Sequence, residues 1–361
     1  MPIQSIRADH YKVPLPVVLT DSTHGEMREF DLVAVRIADG DGAEGVGYTY
    51  TVGRGGAAIR TLVAHDMAGD LVGADATRIA SLWSALWWRL HYVGRGGLAA
   101  HALSAVDIAL WDLKAKRANL PLWRFLGGAE PKVKAYAGGI DLQLSLDDLL
   151  RQTDANLDKG FRAIKMKVGR ENGREDIARV AAMRKHLGDD FPLMVDANMG
   201  WSVDQAIGVA RALREYDLVW LEEPTIPDDF AGHARILSEG GVPIAAGENL
   251  HSLHEFQHLI AAQGVSYPEP DVSNCGGISV WMKVAALAEA HNLPVTSHGV
   301  HELHVHLLGA VPNASYLEAH GFGLEGYIAE PLRVVDGYAT APDRPGHGVA
   351  FDWDALEAVR A

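Results

Sequence analysis

The chain has 361 residues, 48% of them hydrophobic and 22% charged, so it can bury a large core in one big domain or two coupled ones. Lys and Arg number 32 against 47 Asp and Glu, and the formal charge of -15 argues against partners such as nucleic acid or anionic membrane. A single cysteine excludes an intramolecular disulfide, and neither a secretory signal pattern nor an apolar run of about 18 residues is present, so we expect a cytoplasmic protein.

The N-terminal third of the chain has the pattern of an α+β domain. The runs "FDLVAVRIA" and "EGVGYTYTV" alternate polar and apolar residues around "DGDGAEG", which predicts antiparallel hairpins. Helical patterns follow in "ATRIASLWSALWWRLHYV" and "AAHALSAVDIALWDLKAKRAN", and Pro121 marks the end of the second one. We therefore predict an α+β domain over residues 1–127.

From about residue 133 the pattern changes to short apolar strands, each followed by a helical stretch. The strand-like runs are "VKAYAGG", "AIKMKVG", "PLMVDAN", "LVWLEEP", "PIAAGEN", "SYPEPD", "PVTSHG" and "ASYLEA". This alternation predicts an α/β fold with a parallel (β/α) barrel over residues 128–322. Residues 323–361 have the pattern of irregular strands and turns that return to the first domain.

Charged side chains recur at the ends of these predicted strands, about one strand-helix unit apart. They are Lys167, Asp196, Glu222, Glu248, Asp271, His298 and Glu318. Because the carboxyl ends of barrel strands converge on one basin, we expect these groups to form a ring at its mouth. The same positions also suit solvated strand ends or helix N-caps, although Glu is a poor N-cap.

Lys165 and Lys167 are two positions apart on one strand, so both side chains should point into the basin. Two ammonium groups at close range repel, which should lower the pKa of at least one of them. We expect one lysine to act as a base while the other stays charged and binds an anion.

The carboxylates of Asp196, Glu222 and Glu248 would repel one another without a cation, and all-oxygen ligation suits Mg²⁺. Asp271 and His298 lie on the next two strands, where the carboxylate could orient the imidazole as a second base. Glu318 lies between the bases and could donate a hydrogen bond to a substrate carboxylate. This set suits removal of the weakly acidic proton α to a carboxylate.

The motifs "KMK", "VDAN", "EEP", "GEN", "PD" and "SHG" resemble the mandelate racemase subgroup of the enolase superfamily. The resemblance implies a modified (β/α)7β barrel under an N-terminal α+β capping domain, whose loops near 20–25 and 50–56 form a lid. It implies that Lys167 and His298 are the bases, that Asp271 orients His298, and that Lys165 and Glu318 contact the substrate carboxylate. The Mg²⁺ ligands would be Asp196, Glu222 and Glu248.

Within that subgroup, "IARVAAMRKHLGDDFPLMVDAN" and "ELHVHL" look like talarate/galactarate dehydratases. A polar lid suits a polyhydroxylated substrate, and the expected substrate-binding residues are His24, Tyr50, Arg54 and Asn198. The resulting hypothesis is an acid-sugar hydro-lyase. A base removes the C2 proton, and protonated His298 helps the 3-hydroxyl leave, which gives a 2-keto-3-deoxy acid.

Two other functions remain open from the sequence. The same two bases could serve a racemase, epimerase or cycloisomerase, since the proton can be returned instead of a hydroxyl being expelled. A non-catalytic binder of sugar acids is the alternative from another class. For each of these functions we expect a small carboxylate ligand and a homo-oligomer.

The run "HELHVH", residues 301–306, lacks the second histidine of a zinc-binding H-E-x-x-H helix and is predicted to be helical without a metal role.

Overall fold

The computed structural model describes residues 2–320 and 323–361. Its N-terminal part begins with an antiparallel sheet in the order β1 (Ile3–Asp21), β2 (Gly25–Asp39) and β3 (Glu44–Thr51). The predicted hairpin at "DGDG" is present, because the Asp39 carboxylate accepts the backbone N–H groups of Asp41 and Ala43 at 3.0 and 3.1 Å. The turn between β1 and β2 belongs to the predicted lid.

Helices cover one face of this sheet. They are α1 (Gly56–Thr61), a π-helical turn Leu62–Met67 that leads into α2 (Ala68–Leu71), α3 (Ile79–Leu90), α4 (Leu98–Arg117) and α5 (Leu122–Phe125). The buried helix α4 lies directly against β3. A Cβ atom at Gly45 or Gly47 would come within 2.1 or 2.0 Å of the carbonyl oxygen of Ala109 or Ala105. Glycine is therefore needed for this close helix-to-strand contact.

The second part is a barrel of parallel strands. They are β4 (Lys132–Gly138), β5 (Ile164–Lys167), β6 (Leu193–Asp196), β7 (Leu221–Glu222), β8 (Ile244–Ala246), β9 (Tyr267–Pro268) and β10 (Tyr316–Ala319). Each pairs with the next from β4 to β9, and β10 pairs with β4. The predicted strand "PVTSHG" is reduced to a bridge between Val295 and Ala314, with Thr296 N–H donating to the Pro268 carbonyl at 3.0 Å. Pro294 at its start and the turn at Gly299 (φ +60°) keep it short.

The barrel helices are α6 (Leu146–Asp158), α7 (Gly173–Leu187), α8 (Val203–Leu213), α9 (Phe230–Arg235), α10 (Leu253–Ala261), α11 (Ile278–Ala290) and α12 (His301–Leu308). Side chains that cap the N-termini of α6 to α10 belong to Ser145, Asn172, Ser202, Asp229 and Ser252. The strand-end carboxylates are therefore not the caps of these helices. The predicted α/β class, with a barrel and an α+β cap, is confirmed.

The C-terminal segment contacts both parts. It contains a 3₁₀ turn (Leu324–Tyr327), β11 (Val334–Val335), β12 (Tyr338–Thr340) and α13 (Trp353–Glu357). β12 pairs with β4 of the barrel, and Arg360 Nη1 lies 2.7 Å from Asp9 Oδ1 on β1. The predicted boundary at residue 322 lies outside the described residues, so the domain limits stay predictions. Over the two described ranges, no helix is both long and apolar enough for a membrane span.

Candidate active site

A cluster of buried carboxylates lies at the carboxyl ends of β6, β7 and β8. Asp196 ends β6, Glu222 ends β7, and Glu248 follows β8 by two residues. One oxygen from each lies within 4.8 Å of the others, and Glu248 Oε2 is buried without a hydrogen-bond donor. Such an all-oxygen set, with one buried oxygen that accepts no hydrogen bond, fits a hard divalent cation.

The pKa values of the three carboxyl groups depend on their burial and on the charges next to them. Burial raises the pKa of Glu222 to about 8, with Lys165 opposing and the neighbouring Asp196 carboxylate adding to the rise. Burial also raises the pKa of Glu248. Asp196 differs, because its contacts with both lysines outweigh burial and lower its pKa. A divalent cation among the three would stabilise the ionised form of each.

Both lysines of β5 point into this cluster, as predicted. Lys165 Nζ contacts Glu222, lies 2.7 Å from Glu318 Oε1 and 3.6 Å from Asp196 Oδ2. Lys167 Nζ contacts Asp196. Burial alone would lower the pKa of each lysine, but the carboxylates outweigh it and raise both above the usual range. The expectation that mutual repulsion lowers one lysine pKa was therefore wrong. The carboxylates around Lys165 and Lys167 outnumber the two ammonium groups, so attraction outweighs repulsion.

The structure brings Asp271 and His298 together. His298 Nδ1 lies 3.1 Å from Asp271 Oδ2, which also accepts the Tyr50 hydroxyl at 3.0 Å, while Asp271 Oδ1 accepts the Ser273 N–H at 2.7 Å. An ionised carboxylate only accepts, so His298 Nδ1 carries the proton in this pair. His298 Nε2 lies 3.4 Å from Glu248 Oε2. Burial would lower the pKa of His298, but Glu248 and Asp271 raise it to about 10.

Glu318 lies on β10 beside Lys165 and His298. Its Oε2 accepts the Gly299 N–H at 2.9 Å and lies 3.2 Å from His320 Nε2. Burial favours a protonated Glu318, but Lys165 and His320 outweigh it and hold the pKa of this carboxyl well below the usual value. The carboxylate is therefore an acceptor in these contacts, and its predicted role as a hydrogen-bond donor to the substrate carboxylate stays a prediction. His320 was missed, although it is two positions after Glu318, the spacing that places residues on one strand face.

The lid turn between β1 and β2 rests on the end of β6. Ser22 Oγ donates to the Ala197 carbonyl at 2.7 Å, and Thr23 Oγ1 donates to the Asn198 carbonyl. Asp21 accepts His24 Nδ1 at 2.8 Å, and this hydrogen bond, with burial opposing it, raises the pKa of His24. The lid is thus attached directly to the residues that follow Asp196.

A cavity of about 480 Å³ opens between the lid, the cap helix α4 and the carboxylate cluster. Among the predicted site residues its walls include His24, Tyr50, Arg54, Lys167, Asn198, Glu248 and His298. Lys165, Asp196, Glu222, Asp271 and Glu318 are buried beside it without forming its walls. The sequence interpretation missed His101, Asn249, His251, Ser273 and Asn274, which also line it. Asn249 and Asn274 follow strand ends and could have been found by that signal, whereas His101 lies within a helix pattern that gave none.

Comparison with protein-family models identifies the family of this chain. Residues 4–127 match the model for the mandelate racemase / muconate lactonizing enzyme N-terminal domain, and residues 148–355 match the enolase C-terminal domain-like model. The chain belongs to the mandelate racemase/muconate lactonizing enzyme group of the enolase superfamily. The family resemblance noted from the sequence is thereby confirmed.

Individual members of this enolase-superfamily group are similar over nearly the whole chain. A 3,6-anhydro-alpha-L-galactonate cycloisomerase of Streptomyces coelicolor is 60% identical over 354 residues, 98% of each protein. The L-talarate/galactarate dehydratase of Salmonella typhimurium is 39% identical over 327 residues, 90% of this chain and 81% of its own. A crystal structure of a racemase from Streptomyces coelicolor A3(2) with bound magnesium has a TM-score of 0.98 at 58% identity, covering 99% of this chain and 100% of that one. That structure supports the predicted Mg²⁺ dependence.

Proposed function

We propose that this enzyme is a sugar-acid cycloisomerase that opens a 3,6-anhydro-galactonate by removing the proton α to its carboxylate. One observation carries the proposal. Lys167 and His298 line the same cavity, where Lys167 contacts Asp196 and His298 lies beside Glu248. The 60% identity to a cycloisomerase over 98% of both chains favours this reaction over dehydration, which was the first hypothesis from the sequence.

The chemistry of the two reactions differs only in the leaving group. In a 3,6-anhydro acid the ring ether oxygen is attached to C3, β to the carboxylate. Loss of the C2 proton forms a C2–C3 double bond as the C3–O bond breaks, and the ether oxygen takes a proton to become the C6 hydroxyl. Tautomerisation of the enol gives a 2-keto-3-deoxy acid. No atom leaves the molecule, so the overall reaction is an isomerisation.

The residues would divide these tasks as follows. One of Lys167 and His298 takes the C2 proton, and the other, in its protonated form, supplies a proton to the departing oxygen. Asp271 holds the Nδ1 proton of His298, so Nε2 faces the reacting atoms. Lys165 keeps its positive charge and binds the substrate carboxylate.

Asp196, Glu222 and Glu248 would hold the Mg²⁺, which when bound supplies positive charge to offset the charge that develops on the substrate carboxylate. The same cation would weaken the pairing of these carboxylates with Lys167 and His298. Both bases could then lose their protons more readily than in the contacts described above.

Dehydration of an aldarate is the second candidate. The 39% identity to a talarate/galactarate dehydratase and the polar cavity walls support it, and it needs the same bases. Racemisation would use the same two bases, and the presence of both bases speaks against a non-catalytic binder.

The homo-oligomer also stays a prediction. The exposure of Trp88, Tyr92 and Val93 on and after α3 supports it.

The first prediction tests the reaction by proton NMR in D₂O with Mg²⁺. With 3,6-anhydro-L-galactonate we expect a 2-keto-3-deoxy product that carries deuterium and has lost no water. With galactarate a keto-deoxy product would instead indicate the dehydratase. Deuterium at C2 of an unchanged skeleton would indicate racemisation, and no exchange with any acid would reject catalysis.

Variants of the two proposed bases test the roles assigned to Lys167 and His298. Lys167→Ala and His298→Asn should each lower turnover by about 10²- to 10⁴-fold, the usual contribution of a general acid or base. The control is Lys185→Ala, because Lys185 is an exposed lysine of α7. Full turnover by either base variant would contradict the assigned role.

A further inference from the structure

His101 on the cap helix α4 is one of the residues that line the active-site cavity. The side chain is half-buried and lines the cavity near His251, with 5.8 Å between the two ring centroids. Its Nδ1 lies 2.8 Å from the hydroxyl oxygen of Thr49. Within residues 2–320 and 323–361 no hydrogen bond to His101 Nε2 is found.

The Thr49 hydroxyl determines which nitrogen of His101 carries the proton. Thr49 Oγ1 lies 2.7 Å from the carbonyl oxygen of Ser273, which can only accept. The single hydroxyl hydrogen therefore points at Ser273, and the Thr49 oxygen must accept at its other contact. Hence His101 Nδ1 is the donor, and in the neutral ring Nε2 has a lone pair and no hydrogen.

The surroundings of His101 keep the ring neutral. Burial, with a smaller contribution from His251, lowers the pKa of His101 to about 4, although Asp271 opposes this. Burial likewise lowers the pKa of His251. The two histidines of this wall are therefore uncharged, in contrast to the lid side, where Arg54 and the Asp21-paired His24 lie.

We propose that His101 Nε2 accepts a hydrogen bond from a substrate hydroxyl, so that the enzyme selects sugar acids that present a hydroxyl, and not a second carboxylate, to the cap wall. A carboxylate there would place oxygen lone pairs against the nitrogen lone pair, with no hydrogen between them. The inference deepens the proposed function and rests on it, because the first carboxylate is taken to bind at Lys165 and the metal cluster. Thr49 is a positioning residue in this arrangement.

Galactonate and galactarate form a suitable pair of open-chain probes, since they differ only in a hydroxymethyl or a carboxylate at C6. The proposed 3,6-anhydro substrate resembles galactonate in having a single carboxylate, and beyond C3 it presents hydroxyls, at C4 and C5, and no second carboxylate. The measurement is kcat/KM with the Mg²⁺-loaded enzyme, or the inhibition constant where an acid is not turned over. We expect wild type to favour galactonate. His101→Lys should shift the ratio toward galactarate by at least tenfold, because an ammonium group can pair with the second carboxylate. Equal use of both acids by wild type, or an unchanged ratio in the lysine variant, would overturn the proposal.

The Thr49 hydroxyl is tested separately. Thr49→Val removes the acceptor for Nδ1–H at nearly constant volume and should weaken galactonate binding about tenfold. Thr49→Ser restores the hydroxyl and should restore the binding. A valine variant that binds galactonate as tightly as wild type would contradict the role of this hydroxyl.

Nitrogen NMR of ¹⁵N-histidine-labelled enzyme gives a readout without turnover. The His101 signals are those lost in His101→Gln, and we expect a protonated Nδ1 and an unprotonated Nε2. A proton on Nε2 would overturn the inference. If wild type shows no C2 exchange with any acid, the proposed function fails instead, while the tautomer remains measurable by NMR and the preference between the two acids by calorimetric binding.

Discussion

At the scale of single residues, Lys165 and Lys167 show what a local sequence pattern can predict and what it cannot. Their two-residue spacing correctly predicted a shared face, because side chains alternate along a strand. Their pKa values were predicted in the wrong direction. The sign depends on carboxylates from β6, β7 and β10, whose distances to the ammonium groups no strand pattern contains.

At the same scale, the second prediction concerns removal of a metal ligand. Glu248→Gln and Asp196→Asn should each weaken Mg²⁺ binding at least tenfold, because each removes a charged oxygen from the cluster. Isothermal titration calorimetry of the metal-stripped enzyme measures the change.

Glu223→Gln is the control for these variants. Glu223 adjoins the ligand Glu222 in sequence, but its carboxylate is held by Asn249 Nδ2 at 3.0 and 2.9 Å. Its replacement should change Mg²⁺ affinity less than either ligand variant does. If Glu223→Gln instead weakens binding most, the assignment of the three ligands is wrong.

At the scale of elements, the helix α12 connects the two loops that carry the dyad. The prediction of a helix at "HELHVH" was right, and His304 on it is fully buried. The Val272 N–H donates to His304 Nε2 at 3.0 Å, and His304 Nδ1 donates to the Gly299 carbonyl at 2.8 Å. These backbone groups adjoin Asp271 and His298, so His304 links the two chain segments that carry the acid and the imidazole.

The third prediction uses matched variants of His304. His304→Leu loses both hydrogen bonds, whereas Asn can replace the Nδ1 donor and Gln can replace the Nε2 acceptor. We expect proton exchange at the His298 base to fall about tenfold or more in the leucine variant and less in the other two. Exchange at the Lys167 base should change little.

Deuterium exchange from the two C2 epimers of a substrate separates the bases, provided that they act on opposite faces. A loss that is equal for both epimers in His304→Leu would indicate general damage to the fold. An unchanged rate for both epimers would show that His304 does not position the dyad.

At the scale of the whole molecule, direct hydrogen bonds join the cap to the barrel. Trp83 Nε1 donates to the Gly276 carbonyl at 2.8 Å. Asp107 of the cap helix α4 accepts the N–H and the hydroxyl of Ser279, at 2.9 and 2.6 Å, in the first turn of the barrel helix α11. The cap thus supplies the acceptor that this helix lacks at its own N-cap, Gly277.

The fourth prediction concerns pH and stability. Burial raises the pKa of Asp107 to about 7 against a usual value of 3.8. The folded protein therefore holds this proton more tightly than the unfolded chain. The resulting stability is complete below about pH 4 and is lost as pH rises through 7, with a limit on the order of 4 kcal/mol.

Thermal unfolding at pH 5 and pH 8 measures this contribution. The fall in Tm between these values should be smaller in Asp107→Asn, whose amide cannot ionise but keeps one acceptor oxygen for Ser279. Identical pH dependence in the variant and wild type would show that Asp107 does not titrate between these values.

The sequence alone determined the order of the elements, the barrel class and the set of strand-end groups, because side-chain alternation and the length of each strand-helix unit are local properties of the chain. Only the tertiary structure decided the charge balance around the lysines, the acceptor role of Glu318, the place of His320 and the tautomer of His101. Each of these depends on distances between atoms far apart in sequence, and Coulomb and hydrogen-bond energies change steeply over a few ångströms.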